Sequence, residues 1–377
     1  MSSVRKIKIL AVETSCDETA LALVEASGGS KSPKFEILKN VVSSQTKIHA
    51  HWGGVVPNLA KREHIKNLPM IFRKIFESKV KSQRLKVDVV AVTVGPGLEP
   101  ALWTGVNFAK EIHEELTTKN QKLKPKLVGV NHLEGHLYSF LLAKDRSYVL
   151  KNIRTIFPAI ALIVSGGHTI LLKMDSLTKW KKLGETRDDA VGEAFDKVAR
   201  MLGLPYPGGP EIEKLAARSA VLGKRSASED YINFPRPMMD QKNYDFSFSG
   251  LKTAVLYYLR DKYRSDVLKN VRTKIKQKKI ADIAASFQKA AIDVLVSKTI
   301  RAAREFGARS VILSGGVASN GALRRELKVK CQKLKVNFFA APKKFNTDNA
   351  VMIAVAGYIQ YLQNKKRLLR AQGNLNL

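Results

Sequence analysis

The sequence predicts an α/β protein with two lobes that arose by internal duplication. A strand, a polar turn and a second strand follow one another between Lys6 and Glu25, and this order recurs between Phe157 and Lys173. A unit that recurs at a separation of about 150 residues indicates a repeat. The chain of 377 residues is long enough for two domains with separate cores.

The domain boundary is predicted in the polar, basic connection between Lys144 and Thr155. We therefore expect a first lobe at residues 1–150 and a second lobe at residues 151–377. The last helix, from Ala350 to about Leu362, is expected to pack back on the first lobe.

Composition excludes several classes of protein. No apolar run approaches the 18 residues of a membrane span, so no membrane association is expected. The two cysteines, Cys16 and Cys331, cannot form a disulfide framework and suit a reducing compartment. Neither belongs to a Cys-x-x-Cys pair, which makes a structural zinc knuckle an unfavoured interpretation.

Net charge is the most informative bulk property. A charge of +32 and a pI near 10.1 indicate a polyanionic partner such as a nucleic acid. General basicity suited to the mitochondrial matrix is the alternative explanation. Two basic runs, Arg264–Lys279 and Lys365–Arg370, are candidates for phosphate contacts. No transit peptide is recognisable before Ile7.

The first lobe contains a histidine pair directly after a buried strand. The apolar run Leu127–Val130 predicts the strand, and the segment from His132 to Lys144 predicts a helix. His132 and His136 then lie on one helical face, where two imidazoles can bind one divalent metal. A metalloprotease is the competing interpretation. Glu134 lies about 200° round the helix from His132, which does not suit the general base of that class.

The second lobe contains three glycine pairs, and no Gly-x4-Gly-Lys-Ser/Thr sequence occurs. Glycine lets the backbone approach a ligand closely and offers its amides to phosphate oxygens. A nucleotide site is therefore predicted in this lobe. The pairs and their accompanying polar side chains are Gly166-Gly167, Gly208-Gly209, Gly315-Gly316, Asp196, Glu213 and Asn320. Duplicated strand–turn–strand openings with such glycines around a central cleft fit the actin/Hsp70/sugar-kinase (ASKHA) architecture.

Eight motifs in order make the sequence specific within that architecture. They are Glu13-Thr-Ser-Cys-Asp-Glu-Thr19, His132-x-Glu-Gly-His136, Val164-Ser-Gly-Gly-His168, Gly192-Glu-Ala-Phe-Asp196-Lys, Tyr206-Pro-Gly-Gly-Pro210, Phe248-Ser-Gly-Leu-Lys-Thr253, Ser314-Gly-Gly-Val-Ala-Ser-Asn320 and Thr347-Asp348-Asn349. Together they closely resemble the TsaD/OSGEP family of tRNA N6-adenosine threonylcarbamoyltransferases. The resemblance runs from about Lys6 to Gly357.

The resemblance implies a set of site residues. His132, His136 and Asp348 match the metal ligands, which suit zinc or iron alike. Archaeal-type members have a metal-binding tyrosine where this chain has Ile163. The resemblance also implies which positions bind the threonylcarbamoyl-AMP substrate, and ATP or AMP would occupy the same site. These positions are Ile163, Val164, Ser165, Gly166, Gly167, Asp196, Gly209, Glu213 and Asn320.

The implied reaction is transfer of threonylcarbamoyl from L-threonylcarbamoyladenylate to N6 of adenosine 37 in tRNAs that read ANN codons (t6A formation). Asp17, in the first polar turn, is a candidate for proton transfer. The implied partners are tRNA, a carbamoyl-adenylate synthase and a second copy of this chain. The implied location is the mitochondrial matrix, with the cytoplasm as the alternative. The competing functions are a metalloprotease-like enzyme and a nucleotide-binding RNA or DNA scaffold.

Overall fold

A computed structural model describes residues 5–76, 86–119, 124–143, 153–222, 232–263 and 277–377. The chain forms two compact units, one of Met1–Thr155 with Ala341–Leu377 and one of Ile156–Ala340. The predicted second lobe, 151–377, therefore differs from the observed unit at both ends. The last helix joins the first unit because it packs against that unit's strands and is buried on nearly every side.

The first unit is a five-stranded sheet in the order β3-β2-β1-β4-β5. β1 pairs with β2 in antiparallel fashion and with β4 in parallel. Its strands are β1 (Ile7–Glu13), β2 (Glu18–Ser27), β3 (Lys34–Ser44), β4 (Val89–Gly95) and β5 (Lys126–Asn131). Its helices are α1 (Thr46–Ala50), α2 (Pro57–Phe76), α3 (Glu99–Lys119), α4 (His132–Tyr138) and, at the end of the chain, α10 (Ala350–Gln363).

The second unit is a five-stranded sheet in the order β10-β9-β6-β7-β8. Its strands are β6 (Ala159–Val164), β7 (Thr169–Met174), β8 (Trp180–Glu185), β9 (Ser310–Ser314) and β10 (Asn337–Ala340). Its helices are α5 (Val191–Met201), α6 (Gly208–Leu222), α7 (Ser249–Tyr263), α8 (Gln277–Glu305) and α9 (Gly321–Lys333).

The two sheets share one topology. β6 pairs antiparallel with β7 and parallel with β9, as β1 does with β2 and β4. In each unit the outer strands continue the pattern, antiparallel on one side and parallel on the other. The predicted α/β fold with internal duplication is therefore confirmed.

Burial explains why these segments become strands and helices. All seven residues of β4 and all six of β6 are buried, as expected for strands with both faces covered. Helix α10 approaches the sheet so closely that a Cβ on Gly357 would lie 2.8 Å from Cβ of Ala91. Within the described residues, no helix has both the length and the apolar character needed to cross a bilayer.

A buried cation fixes one loop of the second unit. Lys298 of α8 donates to the carbonyl oxygens of Asn243 at 3.1 Å and of Asp245 at 2.6 Å. Burial, followed by the positive charge of Arg301, lowers the pKa of Lys298 from 10.5 to about 8. The lysine thus ties the segment before α7 to the longest helix of the unit.

Candidate metal centre and glycine pocket

The histidine pair lies on α4, which begins directly after β5. The Asn131 side chain caps this helix by accepting hydrogen bonds from the amides of Leu133 and Glu134. The helix is shorter than predicted, because it ends at Tyr138 and a 3-10 turn continues to Leu142. The rings of His132 and His136 lie 4.6 Å apart, centroid to centroid, so the predicted common face is confirmed.

Asp348 joins the two histidines, although it lies more than two hundred residues further along the chain. Its Oδ1 lies 3.5 Å from Nε2 of His132 and 3.2 Å from Nε2 of His136. One ligand atom from each residue falls within 4.8 Å of the others. We refer to these three residues as the His–His–Asp cluster.

The His–His–Asp cluster fits a divalent metal ion. Both ring nitrogens of His136 are fully buried. Nδ1 makes no hydrogen bond to a described residue, and Nε2 faces Oδ1 of Asp348 at 3.2 Å outside hydrogen-bond geometry. A buried polar atom without a partner is costly, and a metal ion would satisfy Nε2. Two imidazoles and one carboxylate are a donor set that zinc and iron both accept.

A second layer of side chains orients His132. Its Nδ1 lies 3.1 Å from Oγ of Ser15 and 3.4 Å from Oε2 of Glu13. Glu13 is itself held by the hydroxyl of Thr93 and by the amide of Ser15. An imidazole whose Nδ1 is bonded in this way presents Nε2 to a metal, and here Nε2 faces Asp348.

The electrostatic surroundings favour a cation. Burial lowers the pKa of His132, but the carboxylates of Asp348 and Glu13 outweigh burial and raise it to about 9. Burial, followed by the charges of Asp348 and Asp17, raises the pKa of Glu18 well above its usual range. Several carboxylates are thus crowded into a largely buried region, where a bound cation would relieve their repulsion.

A separate pocket in the second unit is lined chiefly by glycine and small polar residues. Four parts of the chain meet there: the β6–β7 turn, helix α5, helix α6, and the segment between β9 and α9. The lining residues are Gly166, Gly192, Phe195, Asp196, Gly209, Pro210, Glu213, Gly316, Val317, Ser319 and Asn320. We call this the glycine pocket.

Hydrogen bonds fix three polar side chains around the glycine pocket. Oδ1 of Asp196 accepts from the amides of Gly208 at 2.7 Å and of Gly209 at 3.3 Å, at the start of α6. Oε1 of Glu213 accepts from the amide at the start of α9 at 2.8 Å. Asn320 caps α9 and also donates to Oε1 of Gln288 at 2.7 Å. The carboxylates of Asp196 and Glu213 thus meet the N-termini of α6 and α9 at the pocket.

The glycines of the pocket fall into two kinds. A Cβ added to Gly166, Gly209 or Gly316 would meet no atom within 4 Å, so these positions leave open space at the pocket wall. A Cβ on Gly192 would lie 2.6 Å from the carbonyl oxygen of Ser165. The first kind leaves room for a ligand, whereas Gly192 lets two chain segments approach each other.

Comparison with known proteins identifies the family. The model of the family "TsaD: tRNA N6-adenosine threonylcarbamoyltransferase" matches residues 36–355. The protein of that name from Thermosipho africanus is 44% identical over 353 residues, which cover 94% of each chain. The chain belongs to the TsaD family. Its Geobacillus thermodenitrificans relative, of the same name, is 42% identical over 372 residues, 98% of this chain and 96% of that one.

A remote structural likeness supports the fold alone. Full-length HypF, whose crystal structure is in a phosphate- and nucleotide-bound form, aligns with a TM-score of 0.53 at 14% identity. The alignment covers 97% of this chain and 48% of HypF, so the chain spans about half the length of that protein. Together with the duplicated topology, this likeness agrees with the predicted ASKHA class.

Within this TsaD-family chain, the structure assembles part of the predicted substrate set. Gly166, Asp196, Gly209, Glu213 and Asn320 all line the glycine pocket. The other four predicted residues do not line it. Two of these, Ile163 and Val164, are fully buried in β6, and Oγ of Ser165 accepts the amide of His168. Gly167 lies exposed in the turn that follows β6.

Six lining residues were not among the nine residues implied to bind the substrate, namely Gly192, Phe195, Pro210, Gly316, Val317 and Ser319. The signal for some of them was present, because Gly192 and Phe195 belong to the Gly-Glu-Ala-Phe-Asp motif and Gly316 to a glycine pair. Only the packing of α5 against the β6–β7 turn shows which members of those motifs face the pocket.

The structure assigns Glu134 a role that the sequence did not predict. Its carboxylate pairs with the guanidinium of Arg367, at 3.0 and 3.1 Å, and accepts from Nε2 of Gln360 at 2.7 Å. Burial raises the pKa of Glu134, but hydrogen bonds from Arg367 outweigh burial and lower it. Both oxygens of Glu134 are engaged by Arg367 and Gln360, so its carboxylate does not take the general-base position of the metalloprotease motif.

Asp17 lies in the turn between β1 and β2 and is 8% exposed. Its backbone carbonyl accepts from the amide of Gln45 at 2.9 Å. Burial raises the pKa of Glu18, and the negative charges of Asp348 and Asp17 raise that pKa further. The predicted proton-transfer residue is therefore close to the carboxylates around the His–His–Asp cluster.

Proposed function

We propose that this chain transfers the threonylcarbamoyl group of L-threonylcarbamoyladenylate to N6 of adenosine 37 in tRNAs that read ANN codons. The observation that carries the proposal is family membership over nearly the whole chain, at 42–44% identity. The His–His–Asp cluster and the glycine pocket give that membership a chemical basis.

We assign the chain's residues the following parts. His132, His136 and Asp348 would hold one divalent ion, zinc or iron, which supplies a Lewis acid for the acyl carbonyl. The amides and small side chains of the glycine pocket bind the adenylate. ATP or AMP occupies the same pocket.

In the transfer itself, a bond forms between N6 and the carbamoyl carbon while the bond from that carbon to the phosphate oxygen breaks. AMP leaves, and the amine gives up one proton. We assign Asp17 as the acceptor of that proton, because it is the acidic side chain of the turn between β1 and β2 and is 8% exposed. The amine is a weak nucleophile, so positioning contributes a large part of the rate.

The test is transfer of labelled threonine to an unmodified ANN-decoding tRNA. The reaction contains this chain, an active carbamoyl-adenylate synthase, ATP and bicarbonate, with His136→Ala as the control variant. We expect label in tRNA with the wild type and none with His136→Ala, while tRNA affinity is kept. A scaffold protein would behave differently, because both proteins would bind tRNA and neither would label it.

A homodimer is part of the proposal. Its support is a set of exposed apolar side chains in the first unit, with Trp52 70%, Ile65 55% and Met70 51% exposed. Ile65 and Met70 both lie on α2, and exposed apolar side chains on one element favour a protein interface. Sedimentation equilibrium should give twice 41.9 kDa, and Ile65→Lys with Met70→Lys should give the monomer mass.

The proposal also includes the location of the protein, which we assign to the mitochondrial matrix, with the cytoplasm as the alternative. It is supported by the strongly basic composition and by the resemblance of the Ser165–Thr169 motif to bacterial and mitochondrial members. A fluorescent fusion expressed in its own cells should colocalise with a matrix marker. A diffuse cytoplasmic signal would contradict this assignment.

A further inference from the structure

Helix α9 carries a concentration of positive charge that the proposed active site does not use. Its thirteen residues and the following turn contain only one acidic residue, Glu326. The exposed basic residues of this segment are Arg325, Lys328, Lys330, Lys333 and Lys335. We call these five residues the α9 cations.

The positions of the α9 cations follow from how the helix packs. Leu323, Leu327 and Cys331 recur every four residues and are buried in the core of the second unit. At about 100° per residue, the remaining positions turn outward over roughly the opposite half of the helix. Arg325, Lys328 and Lys333 therefore fall within about 140° of one another on the outward side, and Lys330 borders the buried stripe. Lys335 follows in the turn after the helix.

The α9 cations also lack partners. Among the described residues, none of the five forms an ion pair within 4.0 Å. Some other exposed lysines of the same unit are paired, as with Lys182 and Glu185 at 2.7 Å or Lys214 and Glu211 at 2.6 Å. Unpaired like charges on one helix repel each other, so a polyanion that bridges them is favoured.

The place of α9 in the unit connects this surface to the chemistry. The helix begins at Gly321, and its capping residue, Asn320, lines the glycine pocket. An RNA strand whose reacting base reaches this unit would therefore have its backbone close to α9. A lipid surface fits less well, because Val329 is the one large apolar side chain exposed on the helix, at 47%.

We propose that the α9 cations form a contact surface for the phosphate backbone of the substrate RNA. This inference rests on the proposed function, which supplies an RNA substrate. The C-terminal basic run is partly engaged within the protein. Arg367 of the C-terminal run is engaged with Glu134, and most of the Arg264–Lys279 run lies outside the described residues.

The test removes three charges from the helix and compares a matched variant. The first protein carries Lys328→Gln, Lys330→Gln and Lys333→Gln, which keeps helix propensity nearly unchanged. The control carries Lys179→Gln, Lys181→Gln and Lys262→Gln, three exposed lysines of the same unit without an ion pair among the described residues. Both variants lose the same net charge.

Affinity for unmodified tRNA is measured between about 50 and 200 mM salt, together with transfer kinetics. The α9 variant should bind at least about tenfold more weakly, and its salt slope should fall by about 2–3, close to one per lysine. Its KM for tRNA should rise with kcat unchanged, while the control variant should behave like the wild type.

Four outcomes would overturn the inference. Equal weakening in both variants would mean that only overall charge matters, and no weakening in an active enzyme would mean that tRNA binds elsewhere. Loss of binding to phosphatidylserine vesicles with tRNA affinity intact would assign the surface to membranes. A wild type that neither binds nor modifies tRNA would refute the proposed function, and this inference would fall with it.

Discussion

Gly315 and Gly316 are adjacent in the chain, but an added methyl group should affect them in different ways. Gly315 has φ of 92° and ψ of 168°, and its Cβ would lie 2.3 Å from the carbonyl oxygen of Val164. Gly316 lines the glycine pocket, and its Cβ would meet nothing within 4 Å. Alanine at the first position should therefore damage folding, whereas alanine at the second should damage ligand binding.

The magnitudes follow from these contacts. A backbone conformation that essentially only glycine adopts costs about 1–3 kcal/mol for another residue. Moving the strand end that carries Val164 adds about 1–3 kcal/mol of overpacking. We expect Gly315→Ala to lower the free energy of unfolding by at least about 2 kcal/mol, or Tm by about 4–8 °C for a unit of this size. Gly316→Ala should change stability by less than about 1 kcal/mol.

Urea unfolding followed by circular dichroism measures stability, and calorimetric titration with AMP measures binding. Gly316→Ala should weaken AMP by at least about fivefold, equivalent to about 1 kcal/mol. A Gly315→Ala protein as stable as the wild type would refute the steric reasoning. A Gly316→Ala protein with full AMP affinity would show that the open space at Gly316 is not part of the nucleotide site.

Three further predictions concern the partners of buried polar groups. Arg367→Met should destabilise the protein by about 3 kcal/mol because it leaves the buried Glu134 carboxylate without its main partner, and adding Glu134→Gln should restore most of that loss in chemical denaturation. Because the folded pKa of Lys298, about 8, lies below 10.5, its contribution to the free energy of unfolding should rise with pH between those values. Urea midpoints from pH 7 to 10 should show that rise in the wild type but not in Lys298→Met. Asn320→Ala should cost about 1 kcal/mol through loss of the α9 cap, and thermal unfolding should show a correspondingly lower Tm.

Local patterns predicted the strands that carry the site. The apolar runs at β4 and β6 are each followed by glycines, and these local patterns determine a strand and then a turn. They do so without contacts to residues distant in the sequence. The duplication was visible for the same reason, since each copy is a local unit. The spacing of His132 and His136 likewise fixed their common helical face.

Properties that depend on distant packing could not be obtained in this way. Spacing along the chain gave no means to bring Asp348 to the histidines, and that expectation came from resemblance to the family. The return of α10 to the first sheet was expected, but the periodicity of the helix does not support it, because a helix buried on nearly every side has no polar face to indicate its partner. The length of α4 depended on the 3-10 turn that follows it, which the apolar periodicity does not distinguish from helix.

The arrangement around the His–His–Asp cluster has an energetic consequence for the first unit. Glu13 is fully buried, and burial followed by the charges of Asp348 and Asp17 raises the pKa of Glu18. The ring nitrogens of His136 are buried, with no contact of hydrogen-bond geometry to a described residue and only the 3.2 Å approach of Asp348 to Nε2. Such an arrangement is destabilising without a cation, because buried carboxylates repel one another and unsatisfied nitrogens lose their hydration. Binding of a divalent ion should therefore raise Tm, by an amount that grows with the logarithm of its free concentration. The shift should be absent in His136→Ala, and a metal-independent Tm in the wild type would mean that the cluster is not a metal site.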